Sequence, residues 1–236
     1  PERLPLIRDG ARHVARLCGP GDRRRGRAPR EHPPESLDRH PTLARLGAAD
    51  SGVMGQYVGY DNLVRWSIDF ETVIPNIAES VEVNDDSTEY TFHLREGMRW
   101  SDGHPFTADD IMFWYEDIFN NTTITPNKAA LRSGWLLGSD GNPVVVEKID
   151  DYTVVFKFTS PNGLFLQNLA QPDGTRPTYY AKHYFSQFHP RYNENLDELV
   201  EAEGFDDWLE LFIFKGGDNT DTSLVWDNAD MPTLHA

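Results

Sequence analysis

The chain has 236 residues, which at roughly 100–200 residues per domain makes one large domain or two small ones. Aromatic residues at 12% and charged residues at 25% exclude a low-complexity tail or a fibrous repeat, and a net charge of -16 argues against a phosphate-neutralising nucleic-acid binder or an anionic-lipid binder. A single cysteine, Cys18, excludes an intramolecular disulfide framework and any multi-cysteine metal site, and no run approaches the ~18 apolar residues of a membrane span.

The charge is unevenly distributed. Between Arg3 and Arg45 stand eleven arginines, against six acids in residues 1–47, a net +5; the remaining eleven basic and 32 acidic residues give -21. Residues 1–47 contain no lysine, phenylalanine, tyrosine or tryptophan and show no helical or strand period, so they read as a disordered or non-native basic segment. A basic nucleic-acid arm is the competing reading of such a run. No site is placed there.

From residue 48 the pattern is that of an α/β domain. Met54, Tyr57, Val58, Tyr60, Leu63 and Val64 fall at three- and four-residue steps and predict a first helix, with the Trp66 ring assigned to the core. Tyr90, Phe92 and Leu94 alternate with Thr91, His93 and Arg95, a half-buried strand that pairs with Val81–Val83 through the polar Asn84-Asp85-Asp86-Ser87 turn. Trp100-Ser101-Asp102-Gly103-His104-Pro105 forces the chain round. Trp100 is expected to bury its ring, Asp102 to accept backbone N–H bonds and Gly103 to take a positive φ. Thr107 with Asp110 three residues on is a capping box that opens a helix through Ile118, with Trp114 in the core, ending near Asn120-Asn121. Residues 122–143 read as a long loop carrying Trp135. Val144–Val146 and Thr153–Phe158 flank Asp150-Asp151 as a second hairpin, and three short amphipathic helices follow around Leu164–Leu169, Leu196–Val200 and Trp208–Phe212. The fold class is therefore α/β, with a mixed, partly antiparallel sheet and flanking helices.

A solute pocket needs flat apolar walls with a few polar tips, so aromatic residues in loops are the candidates for ligand contact: Trp135, Tyr179 and Tyr180. The competing reading makes each a buried plug of the domain. Enzyme signatures are missing: there is no Gly-x-Ser-x-Gly elbow, phosphate loop or His-Glu-x-x-His helix, Cys18 with His13 lies in the basic segment, and His183 and His189 are six residues apart, too far for one helical face. Neither catalysis nor a metal or other cofactor is expected.

Three linked blocks, Pro75-Asn76-Ile77-Ala78-Glu79-Ser80, Tyr90-Thr91-Phe92-His93-Leu94-Arg95-Glu96-Gly97 and Trp100-Ser101-Asp102-Gly103-His104-Pro105-Phe106-Thr107-Ala108-Asp109-Asp110, resemble the family 5 extracellular solute-binding proteins of bacterial ABC importers. Weaker echoes follow at Asp150-Asp151-Tyr152-Thr153-Val154, Pro161-Asn162, Lys182-His183-Tyr184 and Met231-Pro232-Thr233-Leu234. The resemblance implies that residues 48–236 are an incomplete N-terminal lobe of a two-lobed periplasmic-binding-protein fold, periplasmic or anchored at the cell surface. It implies capture of a small oligopeptide or oligosaccharide for ABC transporter permease subunits. It also makes Trp100, Asp102, Gly103 and Thr107 marks of the scaffold. A secreted carbohydrate-binding or carbohydrate-active protein is the alternative. As half of a clamp, the chain is expected to bind its solute weakly by itself.

Overall fold

The computed structural model describes residues 61–125, 134–217 and 230–234, all within one unit that runs from residue 34 to 236. The expectations for residues 1–47, for Cys18 and for Met54–Tyr60 lie outside the described residues.

Among the described residues there are two antiparallel sheets. A ribbon of β1 (Val64–Trp66) and β2 (Val73–Pro75) pairs Val64 with Pro75 and Trp66 with Val73. The main sheet has the order β3-β4-β6-β5, with β3 Ala78–Val83, β4 Glu89–Leu94, β5 Val145–Asp150 and β6 Thr153–Lys157, every neighbour antiparallel. Both expected hairpins are present, and their turns are made by the side chains that predicted them. Asn84 Oδ1 accepts from the backbone of Thr88 and Glu89, both at 2.9 Å, and Asp150 Oδ1 accepts from Tyr152 N at 2.8 Å. Alternation along β4 sends Tyr90, Phe92 and Leu94 inward and leaves Thr91 and His93 half-buried.

Helix α1 (Ala108–Phe113) continues as a π-helical turn over Trp114–Phe119 and stops at Asn120. The capping box is formed: the Thr107 hydroxyl accepts from Asp109 N, and the Asp110 carboxylate accepts from Thr107 N at 2.9 Å. The remaining helices are short: α2 Phe165–Leu169, α3 Lys182–Phe185, α4 Leu196–Glu203 and α5 Trp208–Phe212, with 3₁₀ turns at Gly134–Leu136, Pro172–Thr178 and Ser186–Phe188. Phe165 is the hub of the interior, with the rings of Tyr90, Phe156, Phe158 and Trp135 at centroid distances of 4.8, 5.4, 5.0 and 6.0 Å.

The structure corrects two expectations. Residues 64–66 form a strand and not the end of a helix, because Val64, Arg65 and Trp66 find a ladder partner in Val73–Pro75, a contact that helical periodicity does not encode. Trp66 is accordingly half-exposed on that ribbon instead of sitting in the core. Trp114 is buried as expected, and α3 was not foreseen.

A polar cluster joins buried Asp117 and His189 to the exposed Arg191 and Tyr192. Asp117 accepts from Arg191 Nη1 at 2.9 Å and from the Tyr192 hydroxyl at 2.5 Å. His189, packed against Phe113, Trp208 and Phe212, accepts at Nδ1 from Arg191 N at 3.3 Å, with Asn121 Nδ2 at 3.3 Å from Nε2. Burial pushes the imidazole below its ordinary value, helped by the Arg191 charge and opposed by Asp117. Between the folded value and 6.5 the unfolded chain binds the extra proton, so the stability carried by neutral His189 is present above that window and is lost as pH falls through it. Urea unfolding is expected to show stability decreasing from pH 7 to 5.5 by at most about 1.4 kcal/mol per pH unit from this residue, with His189→Asn flattening the slope; an identical slope in the variant would refute the assignment.

Candidate functional site

The Trp-Ser-Asp-Gly turn is built as its composition requires. Trp100 N donates to His104 O and Gly103 N to Trp100 O, both at 2.8 Å, with Gly103 at φ +89 where a Cβ would be strained. Trp100 is buried edge-on against Phe106, centroids 5.7 Å apart. The segment 230–234 crosses this turn: Ser101 N donates to Thr233 O at 2.8 Å, Thr233 N to Ser101 Oγ at 2.9 Å, and Trp100 bridges to Leu234.

The turn also brings together groups far apart in sequence. Asp102 Oδ1 accepts from His104 N at 3.0 Å, and Asp102 Oδ2 lies 2.6 Å from Nε2 of His183 in α3. The His104 ring stacks on His183, centroids 3.9 Å apart and 11° from parallel. Burial pushes the Asp102 carboxyl up, but the His104 N–H and the two imidazoles outweigh it and hold it below the usual carboxylate range. Behind it, buried Asp110 accepts from Thr107 N in its capping box and from Lys182 N at 2.9 Å, so one carboxylate caps two helices. Desolvation raises its carboxyl, against the pull of those N–H groups, Trp100 and His183.

The aromatic candidates occupy the interior. Trp135, in the turn Gly134–Leu136, is 4% exposed with its face on Phe165, and Asn162 Nδ2 latches its loop through the carbonyls of Trp135 and Leu137 at 2.8 and 3.0 Å. Tyr179 and Tyr180 are buried, and with Tyr184 they donate to three consecutive carbonyls: Tyr184 to Lys215 O, Tyr179 to Gly216 O and Tyr180 to Gly217 O, at 3.3, 3.0 and 3.3 Å. These hydroxyls grip the π-helical turn Ile213–Gly217 that follows α5. A Cβ on Gly217 would fall 2.1 Å from the Phe212 ring, so the grip also depends on that glycine.

Across one end of the main sheet's strands, an open groove of about 810 Å³ is lined by Glu79, His93, Arg95, Glu96, Asp150 and Tyr152. Asp151 also lines it, so four of its nine lining residues are acidic, beside one arginine and one histidine. Register brings them together: Ser80 faces His93, which faces Thr153, which faces Asp150. Residues from three separate segments converge, so the groove has no sequence signature. Among the described residues, no three His, Cys, Asp or Glu side chains stand where they could hold a metal ion, and no helix is long and apolar enough to cross a membrane.

The solved oligopeptide-binding protein OppA superposes with a TM-score of 0.64 at 35% identity, covering 80% of this chain and 27% of that one. Residues 72–204 match the model of the bacterial extracellular solute-binding proteins, family 5 Middle, more than half of the chain, and the chain belongs to that family. A dipeptide-binding protein of Escherichia coli (strain K12) is 38% identical over 120 residues, 47% of this chain and 22% of that protein. A periplasmic alpha-galactoside-binding protein of Rhizobium meliloti (strain 1021) is 39% identical over 85 residues, 36% of this chain and 12% of that protein. The chain thus spans about a fifth or less of these two relatives.

Proposed function

We propose that the chain is part of the first lobe of a substrate-binding component of an ABC importer, one that captures a small oligopeptide or similar polar solute outside the cytoplasm and hands it to a membrane permease without chemistry. The observation that carries this is the match over residues 72–204, joined by likeness to dipeptide- and oligopeptide-binding proteins. Residues 48–236 are read as the incomplete lobe and 1–47 as a segment apart from it. Trp135, Tyr179 and Tyr180, buried in this chain, remain the candidates for ligand contact only where the rest of the receptor would meet them, and Trp100, Asp102, Gly103 and Thr107 are proposed as marks of the fold's scaffold. An oligosaccharide is the second reading of the solute, resting on the galactoside-binding relative.

The test is calorimetric titration of di- to pentapeptides and of galactosides into this chain and into a two-lobed version. A lobe by itself leaves one face of the solute hydrated, so the two-lobed protein is expected to bind peptides at least about a hundredfold more tightly. Galactoside binding with no peptide binding would favour the second reading. Equal affinity for the short chain would place the whole site within it and overturn the half-clamp.

A further inference from the structure

Asn162 joins the turn between β3 and β4, the Trp135 turn and the start of α2. Its backbone N–H donates to Ser87 O at 2.9 Å, and its carbonyl accepts from the Tyr90 hydroxyl at 2.6 Å and from Phe165 N at 3.0 Å. Both hydrogens of its side-chain amide are used as well, on Trp135 O at 2.8 Å and Leu137 O at 3.0 Å. An ionised carboxylate could not replace that amide, because it has no hydrogen to give and would set its oxygens against two carbonyl oxygens. The residue that follows is Gly163, exposed and with nothing within 4 Å of a Cβ built on it. This is the one Asn-Gly pair in the chain.

We propose that Asn162 is a site of spontaneous deamidation, and that its conversion to aspartate or isoaspartate releases the Trp135 turn. The reaction needs water and no enzyme. The Gly163 nitrogen, losing its proton to hydroxide, attacks Asn162 Cγ; a C–N bond forms, the Cγ–Nδ2 bond breaks, and the amide nitrogen takes a proton from water and leaves as ammonia. Water then opens the resulting succinimide at either ring carbonyl. One opening gives aspartate, the other isoaspartate, and each leaves a carboxylate where the neutral amide stood. Glycine at position 163 favours the attack because no Cβ crowds its nitrogen. The folded chain opposes it, since the two bonds to Trp135 O and Leu137 O pin the amide, and the reaction runs from molecules in which this latch has opened locally. Once the amide is lost the latch cannot re-form. Isoaspartate also lengthens the main chain by one carbon between the bonds to Ser87 and Phe165.

The experiment incubates the chain in mildly alkaline buffer, folded and in concentrated urea, beside Gly163→Ala and Asn162→Asp, and follows the peptide that contains Asn162 by mass spectrometry. A gain of about 1 Da is expected at that residue, at a rate roughly tenfold or more higher in urea than in buffer. Gly163→Ala is expected to slow both rates by about tenfold or more, because its Cβ hinders the attacking nitrogen. Amide hydrogen exchange over residues 134–144, where Gly138 N bonds Asn142 O and Val144 N bonds Leu136 O, is expected to be faster in Asn162→Asp and in deamidated wild-type molecules than in unmodified ones. The deamidated wild type, separated by its mass, carries this readout even where Asn162→Asp fails to fold. No mass gain at Asn162 in urea would overturn the site. Equal rates in buffer and in urea would overturn the protection by the latch, and unchanged exchange in deamidated molecules would overturn the release of the turn.

Discussion

Replacing Trp100 with alanine is expected to destabilise the protein by about 3–5 kcal/mol, the range for truncating a large buried aromatic. The ring is 2% exposed and packs on Phe106, while its backbone anchors both the Gly103 turn and the crossing at Leu234. The cavity would open beneath three segments at once. For a chain of this size each kcal/mol moves the Tm by about 2–4 °C, so a fall of roughly 6–20 °C should appear in thermal unfolding with or without peptide. Trp100→Phe keeps part of the ring and should lose less. An unchanged melting curve for the alanine variant would show that the turn is not part of the core.

A second large effect is expected at Gly174, in the 3₁₀ turn that follows α2. A Cβ built there would lie 1.9 Å from the carbonyl oxygen of Leu169 and 2.5 Å from its carbon, contacts with backbone that no rotamer change can relieve. That oxygen also accepts from Asn62 Nδ2 at 2.8 Å, so moving it breaks the tie between α2 and the chain entering β1. Gly174→Ala is expected to cost at least about 3 kcal/mol or to prevent folding, beyond ordinary overpacking. Gly163 supplies the comparison, since a Cβ there meets nothing within 4 Å. Gly163→Ala should change stability by about 0.5 kcal/mol or less. Equal urea midpoints for the two variants would contradict the packing.

Some of this architecture is written in short stretches of sequence. Asn84 and Asp150 announce their hairpins because their side chains bond backbone a few residues on, and the alternation of Tyr90, Phe92 and Leu94 has only one buried face. Thr107 and Asp110 mark a helix start for the same reason, since the capping box is complete within four residues. The burial of Trp100 and the positive φ of Gly103 follow from the turn they share.

Other features exist only once distant segments meet. The apolar steps through Leu63 and Val64 suit a helix as well as a strand, and Val73–Pro75 decides between them by supplying a ladder partner. A tryptophan or tyrosine in sequence says that a large amphipathic ring must be buried somewhere, but not whether ligand or core buries it. Phe165 takes the face of Trp135, and the carbonyls of Gly216 and Gly217 take the hydroxyls of Tyr179 and Tyr180. Asp102 and His183 lie 81 positions apart, and the groove joins Glu79 and His93–Glu96 to Asp150–Thr153, more than fifty positions further on. Local chemistry determined the turns, caps and strands of this protein, because those bonds close within a few residues. The tertiary structure decided the partners of its rings and charges, because each of those contacts closes a long loop whose geometry depends on every element packed between its ends.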